Sequence, residues 1–120
     1  STTYVPIPGS GNVTAFDWTE IPGTDFYLNK PDFQGLTGIY FEANFKSLNG
    51  SSSSSLRIYD KTHSIAPVGG EVNTSSTDMT FVTSGAVYLW EGNNHYVIQG
   101  KSASDTVVLG GARLKILTEN

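Results

Sequence analysis

From Ala86 to Ile116 the chain alternates apolar and polar residues with a period of two, and that rhythm leaves few folds open. Val87 and Leu89 alternate with Tyr88 and Trp90, and Tyr96 and Ile98 with Val97 and Gln99. Val107 and Leu109 precede Gly110-Gly111, after which Ala112, Leu114 and Ile116 alternate with Arg113 and Lys115. Successive side chains of a strand point to opposite faces, so each run reads as a strand with one face in a core and one in solvent. The glycine pair between two apolar runs predicts a tight hairpin joining Thr106–Leu109 to Ala112–Leu117, because such turns favour positive φ. No segment carries a helical period with caps.

The same reading extends upstream. Ile39, Phe41, Ala43 and Phe45 share one face of a strand at 39–46, and Tyr40, Glu42, Asn44 and Lys46 the other. That strand is expected to pair with 56–59 across the run Asn49-Gly50-Ser51-Ser52-Ser53-Ser54-Ser55, which reads as a solvated hairpin tip. Shorter strands are expected at 13–18, 25–28, 79–82 and 87–90, with 91–94 and 102–105 as hairpin connections. The sum is eight or nine strands of an all-β antiparallel sandwich with a jelly-roll layout. Phe41, Phe45, Leu56, Ile58, Leu89, Tyr96, Ile98, Leu109, Leu114 and Ile116 form its expected core. A chain of 120 residues is one domain. The boundaries read as an N-terminal arm over 1–12 and a sandwich over 13–120. The arm has too few apolar groups to order itself, so Tyr4, Val5 and Ile7 are expected to dock on a sheet edge, a neighbouring subunit or a partner surface.

Charge and motifs exclude more than they identify. Seven basic residues stand against eleven acidic ones, net -4, and the basic ones form no stripe, which argues against nucleic acid as a partner. No apolar run approaches the length of a membrane span. The chain has no cysteine, which favours an intracellular origin. Ser1 at the start fits either removal of an initiator methionine or cleavage of a signal peptide. His63 and His95 lack an acidic or histidine neighbour at metal-ligand spacing and read as surface histidines. There is no Gly-x-Ser-x-Gly, and the carboxylates Asp17, Glu20, Asp25, Asp32, Glu42, Glu71 and Glu91 are scattered as solubilising charges. Asp17 to Asp25, or Asp60, offers at most loop oxygens for a structural calcium. The expectation is no enzyme and no cofactor. The chemistry-bearing feature is instead a set of outward aromatics: if Val87 and Leu89 point inward, Tyr88 and Trp90 point out, and by the same parity so do Tyr40 and Tyr59. These read as a subunit interface or a sugar-stacking platform.

The residues Arg57-Ile58-Tyr59-Asp60-Lys61-Thr62, Gly70-Glu71-Val72, 77–84, Tyr96-Val97-Ile98-Gln99-Gly100 and Gly110-Gly111-Ala112-Arg113-Leu114-Lys115-Ile116, preceded by Trp18-Thr19-Glu20-Ile21-Pro22-Gly23-Thr24 and Ile39-Tyr40-Phe41-Glu42-Ala43, resemble jelly-roll domains of bacteriophage virion proteins and of some bacterial surface proteins. That resemblance implies a capsid decoration, or cement, protein: a homotrimer on the outside of the shell, made in the host cytoplasm, with the major capsid protein as partner and the arm reaching across a seam. Its alternative is an extracellular carbohydrate-binding module or a tail-fibre receptor-binding domain.

Overall fold

The computed structural model describes residues 1–119 and contains ten strands. They are β1 Thr2–Ile7, β2 Gly11–Val13, β3 Thr19–Glu20, β4 Phe26–Asn29, β5 Leu36–Ser47, β6 Ser54–Asp60, β7 Glu71–Thr74, β8 Thr80–Ala86, β9 Asn93–Ser102 and β10 Val107–Thr118, with one 3-10 turn at Lys30–Asp32. They form two five-stranded antiparallel sheets. The first runs β1-β10-β5-β8 with β2 also on β10, and the second β3-β9-β6-β7 with β4 also on β9. All ten residues expected in the core are buried, and they pack in one cluster with Ile21, Phe26, Leu28, Ile39, Val72, Val87 and Val107. The fold is an all-β sandwich in which most connections pass from one sheet to the other, as a jelly roll requires.

The structure corrects three expectations of strand pairing and connection. Strands β5 and β6 do not pair with each other: β5 lies between β10 and β8, β6 between β9 and β7. The connection at 48–53 therefore crosses between sheets, and so does the one at 103–106 that joins β9 to β10. The serine run is exposed at Ser51 and Ser53, as expected, but Ser54 is buried and the run is not free. It is tied to the other crossover by Asp105, whose carboxylate accepts the backbone N–H groups of Asn49 (3.1 Å), Ser51 (2.8 Å) and Thr106 (2.7 Å). Ser47 and Ser54 hydroxyls meet at 2.7 Å and those of Ser52 and Ser102 at 2.7 Å. Burial by itself would raise the Asp105 carboxyl, but the converging N–H groups prevail and hold it at about 2, below its ordinary 3.8. A depressed carboxyl adds stability that is complete above its unfolded value and is lost as pH falls through its folded value. Stability measured by denaturant unfolding should therefore decline between about pH 4 and 2. Asp105→Asn should make that decline shallower; parallel acid limbs in the two proteins would contradict the clamp.

The third correction is the glycine pair. The stretch 106–117 is not a hairpin: from Val107 it is one continuous strand, β10, with a register shift between Leu109 and Gly111 and no positive φ at either glycine. The inward set switches parity there, from Val107 and Leu109 to Leu114 and Ile116, which is what one extra residue in a strand does. A Cβ on Gly110 would lie 3.2 Å from the Asn44 carbonyl oxygen and 3.2 Å from Met79 Cε, whereas Gly111 faces open space. Gly110→Val is expected to lower stability by about 1–3 kcal/mol through overpacking. Gly111→Ala should change it by less than about 0.5 kcal/mol. Equal losses in thermal unfolding would contradict the bulge.

Residues 1–12, read from sequence as an arm, supply β1 and most of β2. Both lie in succession along β10, Thr2–Ile7 against 112–117 and Gly11–Val13 against 107–109. Gly9 (φ 87°) turns the chain between them, where a Cβ would meet the Gly23 carbonyl oxygen at 2.6 Å. The partner on which Val5 and Ile7 dock is thus their own sandwich: Ile7 is 5% exposed and in the core, with Val5 packed against it.

Candidate functional site

The segment Val87–Gly92 carries the chain from β8 to β9 across one end of the sandwich. Its alternation is real, with Val87 and Leu89 buried and Tyr88 and Trp90 exposed, yet it joins no ladder. Its backbone groups are satisfied instead by one carbonyl of β5, by a loop and by two side chains. The Val87 N–H donates to Ile39 O (2.8 Å) and that of Tyr88 to Val68 O (3.1 Å). Lys30 Nζ donates to Leu89 O (3.0 Å), and Asn94 Nδ2 to Trp90 O (3.2 Å) and Glu91 O (3.1 Å). This lattice fixes the backbone beneath two exposed aromatic rings.

Tyr88, 70% exposed, borders a solvent-open groove of about 210 Å³. The groove runs between the start of β5 (Leu36 to Ile39) and the end of β8, with Lys30 and Thr37 on its walls. Lys30 also pairs with Glu91 at 3.0 Å. Trp90 stacks on His63, ring centroids 4.3 Å apart at 22°. His63 Nδ1 lies 2.8 Å from a carboxylate oxygen of the fully buried Asp60, whose other oxygen accepts the His63 backbone N–H. The imidazole is held at both its ring and its backbone, and the indole rests against it.

His95 repeats the arrangement on the outer face of the second sheet: its Nε2 is 2.6 Å from Asp25 Oδ2 and its ring stacks at 4.6 Å on Tyr27, an exposed tyrosine. His63 is exposed and His95 partly so, as expected of surface histidines, and each carries a carboxylate partner that the sequence reading did not supply. The Asp25 pair spans 70 positions and leaves no local trace, whereas Asp60 and His63 are three apart and visible in the sequence. Neither ring meets a serine or threonine hydroxyl among the described residues, so neither forms a nucleophile relay. Among those residues no group of three or more His, Asp or Glu is placed to hold a metal ion, and Asp60 is engaged by His63.

The other expected site residues separate. Tyr59 is half-buried on the outer face of the second sheet, where Arg57 lies 5.7 Å from its ring and 4.3 Å from that of Trp18, and Arg57 Nε donates to Gln99 Oε1. Burial lowers the Arg57 guanidinium, against Glu71 and Tyr59, which raise it. Tyr4 and Tyr40 lie on the outer face of the first sheet. There the Arg113 guanidinium sits 3.9 Å from the Tyr4 ring and 5.4 Å from that of Phe81, and Arg113 Nε donates to Glu42 (2.8 Å). Of the seven residues singled out, Tyr88 and Trp90 share one short segment, Tyr4 and Tyr40 flank Lys115 on the outer face of the first sheet, Tyr59 lies on the second, and Val5 and Ile7 pack with the core. Phe16, Trp18, Tyr27 and Phe81 were not singled out. Tyr27 follows the same parity rule, between buried Phe26 and Leu28, but its strand has only four residues.

No known protein family matches the sequence, and no curated protein does. Among solved structures, the CBM36-1 domain of a multidomain xylanase from the hindgut metagenome of Trinervitermes trinervoides is similar with a TM-score of 0.59 at 13% identity, over 100% of this chain and 99% of that one. At that identity the likeness shows the fold, a jelly-roll β-sandwich matched from end to end. A family two carbohydrate esterase from Cellvibrio japonicus aligns over 34% of its chain with a TM-score of 0.31, too distant to bear on the fold.

Proposed function

We propose that the chain is a carbohydrate-binding domain that takes a saccharide at the groove bordered by Tyr88, acting outside the cell and without catalysis of its own. The observation that carries this is a tyrosine ring left 70% exposed on a backbone hydrogen-bonded along its length, at the lip of an open groove with Lys30 and Thr37 beside it. Sugar rings present an apolar face edged by hydroxyls. An aromatic ring next to a few polar groups matches that surface, and a fixed platform loses little entropy on binding. Trp90, immobilised on His63, adds a second ring on the same segment. The end-to-end likeness to the CBM36-1 domain, a carbohydrate-binding module of a xylanase, supports the reading. The capsid reading loses the need for a partner surface under the N-terminal arm, since pairing with β10 accounts for the order of residues 2–7.

The test is affinity electrophoresis of the full chain through gels containing xylan, mixed-linkage β-glucan, mannan or hydroxyethyl cellulose. Retardation by at least one polysaccharide is expected. Tyr88→Ala should weaken it about tenfold or more, the usual cost of truncating an aromatic anchor. Unretarded migration through all four gels would count against the proposal, as would a Tyr88→Ala protein retarded like the parent.

A further inference from the structure

A second groove, of about 290 Å³, opens at the opposite end of the sandwich, where β9 finishes. Ten residues of β9 separate the two ends, roughly 30 Å at 3.3 Å per residue. Phe16 borders this groove and is 73% exposed. An isolated exposed phenyl is ordinary, but this one is fixed and has company. Its loop is pinned by the Thr14 and Thr106 hydroxyls at 2.6 Å, by the Ser102 N–H donating to Ala15 O (2.8 Å), and by Thr19 Oγ1 donating to Asp17 O (3.0 Å).

Two charged side chains line the same groove. The Lys101 ammonium makes no ion pair among the described residues and rests 4.7 Å from the Trp18 ring centroid. The Asp17 carboxylate has no hydrogen-bond partner among them either. Ser55, also on the wall, donates its hydroxyl proton to Asn73 and so presents lone pairs to the groove. The walls thus offer one apolar ring, one strong donor and two acceptors, with the two charges cancelling.

We propose that this groove is a second saccharide site, taking a neutral polyhydroxylated ring with its apolar face on Phe16, its hydroxyls donating to Asp17 and Ser55 and accepting from Lys101. With one charge of each sign on the walls, a uronate or an amino sugar gains no net attraction to offset its desolvation, which is why the ligand is neutral. The choice of ligand class rests on the saccharide reading of the Tyr88 groove; the geometry of the second site does not. Two sites roughly 30 Å apart on one rigid body would bind a polymer with an avidity that neither has alone.

The test is an amide-shift titration of the ¹⁵N-labelled full chain with xylohexaose and, separately, cellohexaose. At least one sugar should cause saturable shifts at Phe16 to Trp18 and at Lys101 to Ala103. Phe16→Ala should abolish those shifts while leaving any at Tyr88 in place; Phe16 is exposed, so the variant should fold, which its amide dispersion will show. Shifts confined to the Phe16 end would uphold this site and remove the Tyr88 reading. Amides at Phe16 to Trp18 unmoved by both sugars, or moved equally in Phe16→Ala, would overturn the second site whatever happens at Tyr88.

Discussion

Phe41→Ala is expected to destabilise the protein by about 3–5 kcal/mol, the usual cost of emptying a buried aromatic site. Phe41 is fully buried, in the middle of β5. That strand lies between β10 and β8, so its inner side chains cannot follow a moving edge to close a cavity. The Phe41 N–H also donates to the buried Ser84 hydroxyl (2.9 Å), which binds β5 to β8 beside the site. Denaturant unfolding checks this: the midpoint should fall with the slope unchanged. A loss under about 1 kcal/mol would mean the core repacks around the missing ring, contrary to the close packing inferred from β5.

Gly69→Ala should be comparably damaging for a different reason. Gly69 has φ 92°, where an L side chain is strained by about 1–3 kcal/mol, and a Cβ there would be driven into the carbonyl oxygen of Ala86. Relief requires the loop between β6 and β7 to part from the chain leaving β8. That parting breaks the bond from the Tyr88 N–H to Val68 O, one of those that fix the exposed tyrosine. The variant should lose stability and, wherever it remains folded, bind saccharide more weakly than the parent. A Gly69→Ala protein with parental unfolding and parental gel retardation would show that this close approach is dispensable.

The two effects differ in how far the sequence displayed them. Alternation in 39–46, 56–59, 96–99 and 112–117 is a local consequence of burying one face, so every core residue expected from it is buried. Partner choice is not local. Nothing in Asn49 to Ser55 distinguishes a hairpin from a crossover; the distinction lies in Asp105, more than fifty residues away, gathering its N–H groups. At Gly110-Gly111 the local signal is ambiguous: a hairpin and a bulge both call for glycine, and only the switch of inward parity from odd to even positions separates them. For the site, parity correctly turned Tyr88 and Trp90 outward. It could not show that Val87–Gly92 lies outside any ladder, held largely by the Lys30 and Asn94 side chains. Phe16 falls in the strand expected at 13–18, but β2 ends at Val13 and leaves it in a loop, and only the fold brings Lys101 and Ser55 to its side.

The central claim is that a saccharide is held against Tyr88. Calorimetric titration of the parent and of Tyr88→Ala, using oligosaccharides of whichever polysaccharide retards the parent most, tests it directly. The account predicts a saturable binding heat for the parent that is weakened about tenfold or more in Tyr88→Ala, with unchanged unfolding of both proteins. Equal binding by the two, or a parent that gives no heat with any of these sugars, would contradict it.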